Sequence, residues 1–458
     1  MPGLFSMLSA AARALEAQRF GLDVTGQNVA NVNTPGYARR VVDLAAVPPV
    51  DRVSAGGGVE VLGTRALRDR MYDRQLWTEL PGEHLQQSVA DGLGVVEIAL
   101  GPPDDGLDKD LAALFDAFAR LADTPTSATA RHEVIASAEG LVSAFRDTAG
   151  RLSAARRDAD VRIRGAVADI NQLVTRIAEL NDAISAIGLT GRSLSLQDEQ
   201  REAVKTLAAI VDVQTIDRAD GGVDVSFARG RPLVVGEHAY QVSVTSTPPS
   251  GFATVLSEGI DVTATIAGGR LGGDVQVRDT LIPAYATRLD TLAYTLATEV
   301  NALHGTGFDL NGTAGGAFFQ PPGGVAGAAS SLSVDNALAG DPGLVAAAGV
   351  ASPGDNQVAR ALADLRDARV LGGGTTTLLQ GWAELVFVVG TDGSAAQAAA
   401  RSSGEVVQQI ETLRDGVSGI SLDEEAAMMM RFQRAYEANA RFFTVIDESL
   451  QVLLGLGR

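Results

Sequence analysis

Three segments of the chain repeat apolar residues every seven positions, the spacing of helices that bury a narrow seam. The middle segment is the most regular, with rows Ile163, Ile170, Ile177, Ile184 and Ala166, Leu173, Leu180, Ile187. An amphipathic helix in an ordinary core also gives this pattern. We therefore interpret the middle segment as a helix packed within its own domain.

The other two segments lie at the two ends of the chain. The N-terminal rows are Leu8, Leu15, Leu22, Val29 and Leu4, Ala11, Gln18, Thr25, Val32. The C-terminal rows are Leu422, Met429, Tyr436, Phe443, Leu450 and Phe432, Asn439, Ile446, Leu453. Polar residues in a seam weaken it while specifying register and partner. We therefore expect these terminal helices to serve contacts between molecules.

Between these segments, the pattern of hydrophobic and polar residues changes along the chain. Alternating residues with turn signals run from about Val211 to Val277, including a turn at 220–222, and predict antiparallel strands. The helical period returns over 281–303, and a glycine-rich stretch after it reads as loop. The segment 355–414 reads as helix interrupted by the glycines at 372–374.

These patterns predict an α+β multidomain fold. A discontinuous helical coiled-coil or bundle domain is built from both chain ends and the middle, and a small antiparallel β domain is inserted in it. The predicted divisions are 1–80 (axial helix, turn and β-like segment), 81–195 (first part of the bundle), 196–278 (β domain), 279–354 (return helix and glycine-rich loop), 355–417 (second part of the bundle) and 418–458 (C-terminal coiled-coil helix).

The stretch "QNVANVNTPGYARR", residues 27–40, closes the first helix with an unusual density of amides. We predict a helix over about 4–32, with Asn33 as its left-handed end residue. The residues Thr34 to Tyr37 then form a type II turn, with Pro35 and Gly36 at its centre, and a β-like segment follows. The end of the helix and the turn do not explain why this stretch contains so many side-chain amides. We therefore predict that Asn28, Asn31 and Asn33 meet a partner in one register.

Composition excludes several function classes. The 458 residues are 46% hydrophobic and 20% charged, which is ordinary for a globular protein. A net charge of −19 argues against nucleic acid or an anionic membrane as partner. The chain has no cysteine, so thiolate chemistry and disulfides are excluded. We find no signal-peptide pattern and no membrane-spanning stretch, so membrane insertion is not expected and any export would leave the N-terminus uncleaved.

No group of residues has the spacing of an active site. The four histidines are far apart, and "HEVIA" from His132 has Ala136 where a zinc ligand belongs. "SAGGGVEV" leads into a strand rather than a helix, and "AGGRLGGDVQV" lacks the residues of a Walker loop, so both read as tight turns. The acidic run 423–425 fits the start of the last helix, with Ser421 as N-cap. We predict no enzymatic activity, no cofactor and no metal site.

The two ends together carry a specific resemblance. "LDVTGQNVANVNTPGYARR" resembles the N-terminal signature of the bacterial flagellar axial proteins, the rod, hook and hook-associated group, and "AYEANARFFTVIDESLQVLLGL" is similar to the closing helix of that group. Interior segments resemble the hook-associated protein 1 family of the hook–filament junction: "SGISLDEEAAMMMRFQRAYEANAR", "INQLVTRIAELNDAI", "LQDEQREAVKTLAAIVDV", "GGRLGGDVQVRDTLIPAYATRLDTLA" and "HGTGFDLNGTAGGAFF". The chain departs from that family after "FF", where a short Gly/Ala-rich stretch replaces a large outer β domain.

The resemblance implies a structural protein of the flagellum. It implies export through the flagellar type III apparatus with an export chaperone, then polymerisation as a layer on the distal end of the hook subunits. The second junction protein and the filament assemble on that layer outside the cell. It also implies terminal helices that are disordered in the monomer and pair into coiled coils in the assembled tube.

The expected subunit-interface residues come from both ends of the chain: Leu8, Leu15, Leu22, Asn28, Val29, Asn31, Asn33, Pro35, Gly36, Tyr37, Met429, Tyr436, Asn439, Phe443 and Leu450. The alternative within the same group is a hook or distal rod subunit. Alternatives from other classes are a peptidoglycan-cleaving enzyme of rod assembly and a cytoplasmic coiled-coil scaffold.

Overall fold

The computed structural model describes residues 2–48, 57–101, 106–188, 193–246, 251–352 and 354–455. The helices are α1 (Pro2–Ala30), α2 (Arg70–Leu100), α3 (Leu107–Asp123), α4 (Ala128–Ile187), α5 (Leu194–Ile210), α6 (Gly269–Gln276), α7 (Ile282–His304), α8 (Ala328–Ser331), α9 (Asn336–Gly340), α10 (Gln357–Asp364), α11 (Leu378–Ser418) and α12 (Leu422–Gly455). The strands are β1 (Arg40–Ala46), β2 (Val59–Ala66), β3 (Val213–Asp217), β4 (Val223–Phe227), β5 (Arg231–Val235), β6 (His238–Ala239), β7 (Val242–Ser246), β8 (Ala253–Ser257) and β9 (Ile260–Asp261).

The two ends of the chain form an antiparallel helix pair. Near one end of the pair, Ala11 of α1 packs with Ile446 and Leu450 of α12. At the other end, Asn28 bonds to Glu425. The short antiparallel hairpin of β1 and β2 packs on α1. We call α1, β1, β2 and α12 the terminal unit, and the segment from α2 to α11 the body.

The body is organised along α4, a helix of 60 residues. Its first half lies in a core with α2, α3, α7 and α11, and its second half lies in another core with α5 and the strands. All four isoleucines of the predicted row, 163 to 184, are fully buried, which confirms packing inside the domain. The second row is less uniform, because Leu173 is half-buried and Ile187 is exposed.

The predicted strands form two antiparallel sheets, ordered β3-β4-β5-β6 and β7-β8-β9. The turn at 220–222 joins β3 to β4, as predicted, and the Arg218 N–H donates to the Gly222 carbonyl at 2.9 Å. The fold is therefore α+β, with small antiparallel sheets attached to a helical framework, and the predicted fold class is confirmed.

Three polar side chains of α4 fix where strands begin. Asn181 bonds both backbone groups of the first residue of β4, and Asn171 does the same for β7, at 2.8 to 3.0 Å. Asp160 accepts the N–H of the first residue of β8 at 2.6 Å. The three residues are separated by about three helical turns, so they lie on one face of α4. The helix therefore sets the positions of both sheets.

The glycine-rich segment "AGGRLGGDVQV" is not the turn that its composition suggested. Gly269 does have a left-handed φ of +69°, but the residues from Gly269 to Gln276 form α6. A π-helical turn at Val277–Leu281 continues α6 into α7. Gly273 lies so close to α2 that a Cβ would stand 2.6 Å from the Leu85 carbonyl oxygen. Close helix packing, rather than chain reversal, requires glycine there.

The predicted domain divisions do not all coincide with the ends of elements. The division between 80 and 81 falls inside α2, and that between 195 and 196 falls inside α5. Pro81 lies buried within α2. The division at 417–418 falls at the end of α11, where the chain leaves the body.

The glycine-rich stretch after α7 is held in place by a buried histidine. The Nδ1 of His304 donates to the Gly316 carbonyl at 2.8 Å, and its Nε2 accepts from the Ala346 N–H at 2.8 Å. This pattern fixes a neutral imidazole with the proton on Nδ1. Burial lowers the pKa of His304, and the positive charge of Arg131 acts in the same direction.

We expect acid to loosen this stretch. Because the folded-state pKa is lowered, the stabilisation is present above the unfolded pKa of about 6.5 and is lost as the pH falls toward the folded value. The free energy of unfolding, measured with urea at several pH values, should decrease below about pH 6.5. This decrease should be smaller in His304→Gln and unchanged in His132→Gln, which alters an exposed histidine of α4. Equal pH profiles for all three proteins would contradict the assignment.

Candidate subunit-assembly site

The chain reverses directly after α1, as the sequence predicted. The Tyr37 N–H donates to the Thr34 carbonyl at 3.2 Å, and Gly36 has a φ of +75°, which is the geometry of a type II turn. The prediction for Asn33 was wrong, because Asn33 is not left-handed. The helix ends at Ala30, and Gly36 supplies the positive φ that the reversal needs.

Asn28 is buried at the centre of four hydrogen bonds. Its amide nitrogen donates to the Arg40 carbonyl at 2.9 Å and to Oε2 of Glu425 at 3.0 Å. Its amide oxygen accepts from the Arg40 N–H at 2.9 Å and from the Tyr37 hydroxyl at 3.1 Å. One side chain thus connects α1, the turn, the start of β1 and the start of α12.

Glu425 is a buried carboxylate that needs this environment. It is 2% exposed, and besides Asn28 it accepts from Nε of Arg39 at 2.7 Å. Arg39 also pairs with the exposed Glu424 at 2.8 Å. Ser421 caps this end of α12, as predicted, by accepting the Glu424 N–H at 3.4 Å. A buried charge is stable only when it is paired and hydrogen-bonded, so α12 can pair with α1 in one register.

The other two asparagines of the stretch have different surroundings. Asn31 donates back to the Gln27 carbonyl at 2.9 Å and accepts from Thr34 at 3.2 Å, so its contacts are local. Asn33 and Pro35 are exposed at the tip of the turn. Of the three asparagines predicted to fix a register, Asn28 does so within the chain.

The turn rests on the body through a second polar cluster. Asp198 of α5 pairs with Arg68 through one carboxylate oxygen and with Arg40 through the other, the latter at 3.3 Å. Arg68 also donates to the Gly36 carbonyl at 3.0 Å. Burial raises the pKa of Asp198 although both arginines act to lower it, and burial lowers the pKa of Arg68. Burial likewise raises the pKa of Tyr37, which lies under the Arg40 guanidinium.

An open cleft of about 640 Å³ lies beside this contact. The turn 32–39, the start of α2 and the link between α11 and α12 line it. Its lining carries both signs of charge, including Arg201, Lys205, Glu202 and Asp415. Among the described residues, no group of His, Cys, Asp and Glu could hold a metal ion, here or elsewhere.

The buried face of α1 includes residues of the second predicted row rather than the first. Leu8, Leu15, Leu22 and Val29 of the first row are half-buried, whereas Ala11 and Thr25 of the second row are buried. The other buried residues in the described part of α1 are Ala17, Gly21, Val24 and Asn28. The small residues allow close approach, since a Cβ on Gly21 would lie 2.5 Å from the Phe432 ring. Of the predicted C-terminal residues, Phe443 and Leu450 pack with Leu8. Met429 and Asn439 are half-buried, and Tyr436 is exposed.

The pairing of α1 with α12 leaves a set of large apolar side chains in solvent. They are Phe5, Met7, Leu422, Met430, Phe442, Val445 and Val452, each between 46% and 63% exposed. None except Leu422 belongs to the predicted rows. Val445 and Val452 are themselves seven positions apart, so a further row was present in the sequence. Phe442, Val445 and Val452 are three and seven positions apart and so lie on one side of α12, and exposed apolar side chains grouped in this way are typical of an interaction site.

Comparisons with known proteins agree at both ends and in the middle. Residues 93–319 match the flagellar hook-associated protein FlgK helical domain, residues 8–37 match the flagella basal body rod protein family, and residues 416–456 match the flagellar basal body rod FlgEFG protein C-terminal family. Flagellar hook-associated protein 1 of Bacillus subtilis is 26% identical, covering 100% of this chain and 99% of the relative. That of Escherichia coli is 24% identical, covering 98% and 100%.

A solved structure shares the fold. The flagellar hook junction protein FlgK of Burkholderia pseudomallei superposes with a TM-score of 0.68 at 16% identity, covering 75% of this chain and all of that one. The paired ends and the helical body therefore define an axial structural protein of the bacterial flagellum. Within that class, the chain belongs to the flagellar hook-associated protein 1 family. This is a family of structural proteins rather than enzymes. No described helix is long and apolar enough to cross a membrane.

We expect Asn28 and Asn31 to respond differently to the same substitution. Asn28→Asp removes the donor to Glu425 and places a second carboxylate beside it, which should cost about 2 kcal/mol or more. Amide exchange over residues 21–30 and 422–430 of the isolated chain should accelerate accordingly. Asn31→Asp, in the same turn, is the matched control and should leave exchange there nearly unchanged. Equal exchange in the two variants would show that Asn28 does not fix the register.

Proposed function

We propose that this chain forms the first layer of the hook–filament junction, polymerising at the distal end of the hook. The observation that carries the proposal is the terminal unit itself. It is built from the two segments that match rod-protein families, and it presents apolar side chains that the single chain leaves exposed. The match of 93–319 to the hook-associated helical domain favours the junction over other places on the axis.

In this layer, the exposed apolar residues of the terminal unit lie between neighbouring copies. Phe442, Val445 and Val452 provide the contact on α12, and Phe5 and Met7 provide it on α1. The half-buried Leu15, Leu22, Val29 and Met429 and the exposed Tyr436 border the same contacts. Leu8, Phe443 and Leu450 act mainly within each subunit, because they already share an intramolecular cluster. Covering such surface in a polymer contributes about 25 cal/mol per Å² of apolar area.

The partners follow from this position. The chain contacts further copies of itself, the hook subunit below it and the second junction protein above it. An export chaperone and the flagellar type III apparatus bring it to the outside of the cell without cleavage of its N-terminus. The alternative is a hook or distal rod subunit, which the matches of both ends to rod families favour.

Deletion of the gene tests the place of the protein on the axis. We expect cells with hooks but without filaments, and flagellin released into the medium, because the filament has no layer on which to assemble. Electron microscopy of the cells and blotting of the medium measure both. Cells without hooks would move the protein to the hook or rod. Normal filaments in cells with no second copy of the gene would overturn the proposal.

The proposed contact surface has its own test. The double variant Phe442→Asp, Val445→Asp alters exposed side chains, so circular dichroism and thermal unfolding of the isolated chain should change little. In the deletion strain this variant should fail to restore filaments, because charges would be buried between subunits. Val161→Asp, which alters an exposed apolar residue of α4, is the comparison and should restore them. Restoration by the double variant would exclude this surface from assembly.

A further inference from the structure

The body exposes two large apolar side chains on the outer side of the helices α2 and α11. Ile98 of α2 is 79% exposed and Phe387 of α11 is 71% exposed, the two highest values among the large apolar side chains that the structure describes. Ile98 lies two positions from Val96, and Phe387 lies two positions from both Leu385 and Val389, which all belong to one core. Two positions correspond to about 200° around a helix. Both exposed side chains therefore point away from that core.

These two side chains also lie at a similar height along the helix pair. A Cβ added to Gly393 of α11 would lie 2.6 Å from the carboxylate of Glu97, and one added to Gly404 would lie 3.3 Å from that of Glu83. The two helices therefore run antiparallel, with position 97 beside position 393. At about 1.5 Å per residue, positions 98 and 387 are then separated by less than about 10 Å along the helix axes. The two exposed side chains belong to one face.

The surface around them carries little charge. Over positions 385–400, α11 has one charged residue, Asp392, and its carboxylate accepts from the hydroxyl of Tyr285 on α7 at 2.7 Å. The exposed residues at 391, 394, 395, 397 and 398 are Thr, Ser, Ala, Gln and Ala. Asp91 and Glu97 of α2 are at its border. We call Ile98, Phe387 and these five exposed positions of α11 the body face.

The body face has room for a close neighbour. A Cβ added to Gly94 of α2 or to Gly390 of α11 would meet no atom within 4 Å, so the surface between the two exposed side chains is open. Small residues on an exposed helix surface allow another backbone to approach closely. The centre of a protein interface is typically depleted in charged residues and enriched in aromatic ones. The body face therefore has the composition of an interface centre.

A second copy of the chain is the partner that suits this face, an inference that rests on the proposed polymer. Each copy has a net charge of −19, so neighbouring copies repel each other wherever their charged surfaces meet. A surface with almost no charge lets two such copies approach at the lowest electrostatic cost. Only residues 419–421 separate α11 from α12. Contacts between the terminal units of neighbouring copies therefore bring their bodies side by side.

We propose that the body face is a second subunit contact, which packs against the body of a neighbouring copy. Phe387 and Ile98 are its apolar anchors, and the small residues of α11 let the neighbour approach. A helical polymer joins two different patches on adjacent copies. The body face therefore meets another surface of the neighbouring body rather than its own counterpart. This contact does not require the terminal helices to be ordered before assembly, because all of its residues belong to the body.

Photochemical crosslinking from within the face tests this contact. Phe387→p-benzoylphenylalanine keeps an aromatic ring at that position and adds a group that reacts on irradiation with whatever lies against it. The full-length variant is expressed in the deletion strain, and sheared flagella are irradiated and blotted for the chain. We expect a new band at about twice the 47.4 kDa of one copy, with linked peptides from this chain alone. The isolated chain, irradiated at the same concentration, should give no such band.

The matched control is Val161→p-benzoylphenylalanine, at an apolar residue of α4 that is 66% exposed and lies outside the body face. It should give no band of double mass. A band that joins the chain to a different protein would overturn the proposal. So would the lack of any new band when the blot shows the Phe387 variant in the sheared flagella. A contact between copies is expected at the hook, the rod or the junction alike, so these outcomes are independent of the deletion phenotype. Absence of the unmodified chain from sheared flagella would instead refute the proposed function and this contact together.

Discussion

The carboxylate of Glu425 is buried between α1 and α12, and the terminal unit depends on how that charge is satisfied. The amide of Asn28 and the guanidinium of Arg39 are its partners, and they come from opposite sides of the turn after α1. Displacing α12 by one turn along α1 would separate the Glu425 carboxylate from the Asn28 amide, and a buried charge is costly when it loses a hydrogen-bond partner. The small residues of the seam, Ala11 and Gly21 among them, let α1 and α12 approach closely but do little to select one register. A polar centre in a weak seam thus determines the register.

In the body, too, polar side chains determine how the packed elements are aligned. Along α4, apolar residues provide the burial, while Asp160, Asn171 and Asn181 determine where the strands begin. Each of these side chains satisfies backbone groups that would otherwise be unpaired at the start of a strand. The positions of both sheets are therefore set by one helix, α4. Where the body meets the terminal unit, the contact includes the ion pairs of Asp198 with Arg40 and Arg68.

Periodicity in the sequence identified three of the long helices, α1, α4 and α12, because a repeat of seven is strong over many turns. The isoleucine row of α4 was buried as expected. The strands, the turn at 220–222 and the type II turn at 34–37 followed from residues with narrow conformational preferences. Asn33 and the α6 glycines were misread, since glycine serves both reversals and close packing, and sequence alone does not show the neighbouring helix. The role of Asn28 depends on Glu425, 397 positions away, and no local pattern reveals such a contact.

The helix pair of the terminal unit joins two segments that lie far apart in the sequence. Ala11 lies near the beginning of the chain, and the residues that bury it, Ile446 and Leu450, lie near its end. A polypeptide that stops before α12 leaves α1 without its partner helix and the Asn28 amide without its carboxylate. The unit that we assign to polymerisation therefore cannot form until α12 has been synthesised. Molecules that terminate before α12 thus lack the surface that we assign to polymerisation and are excluded from the polymer.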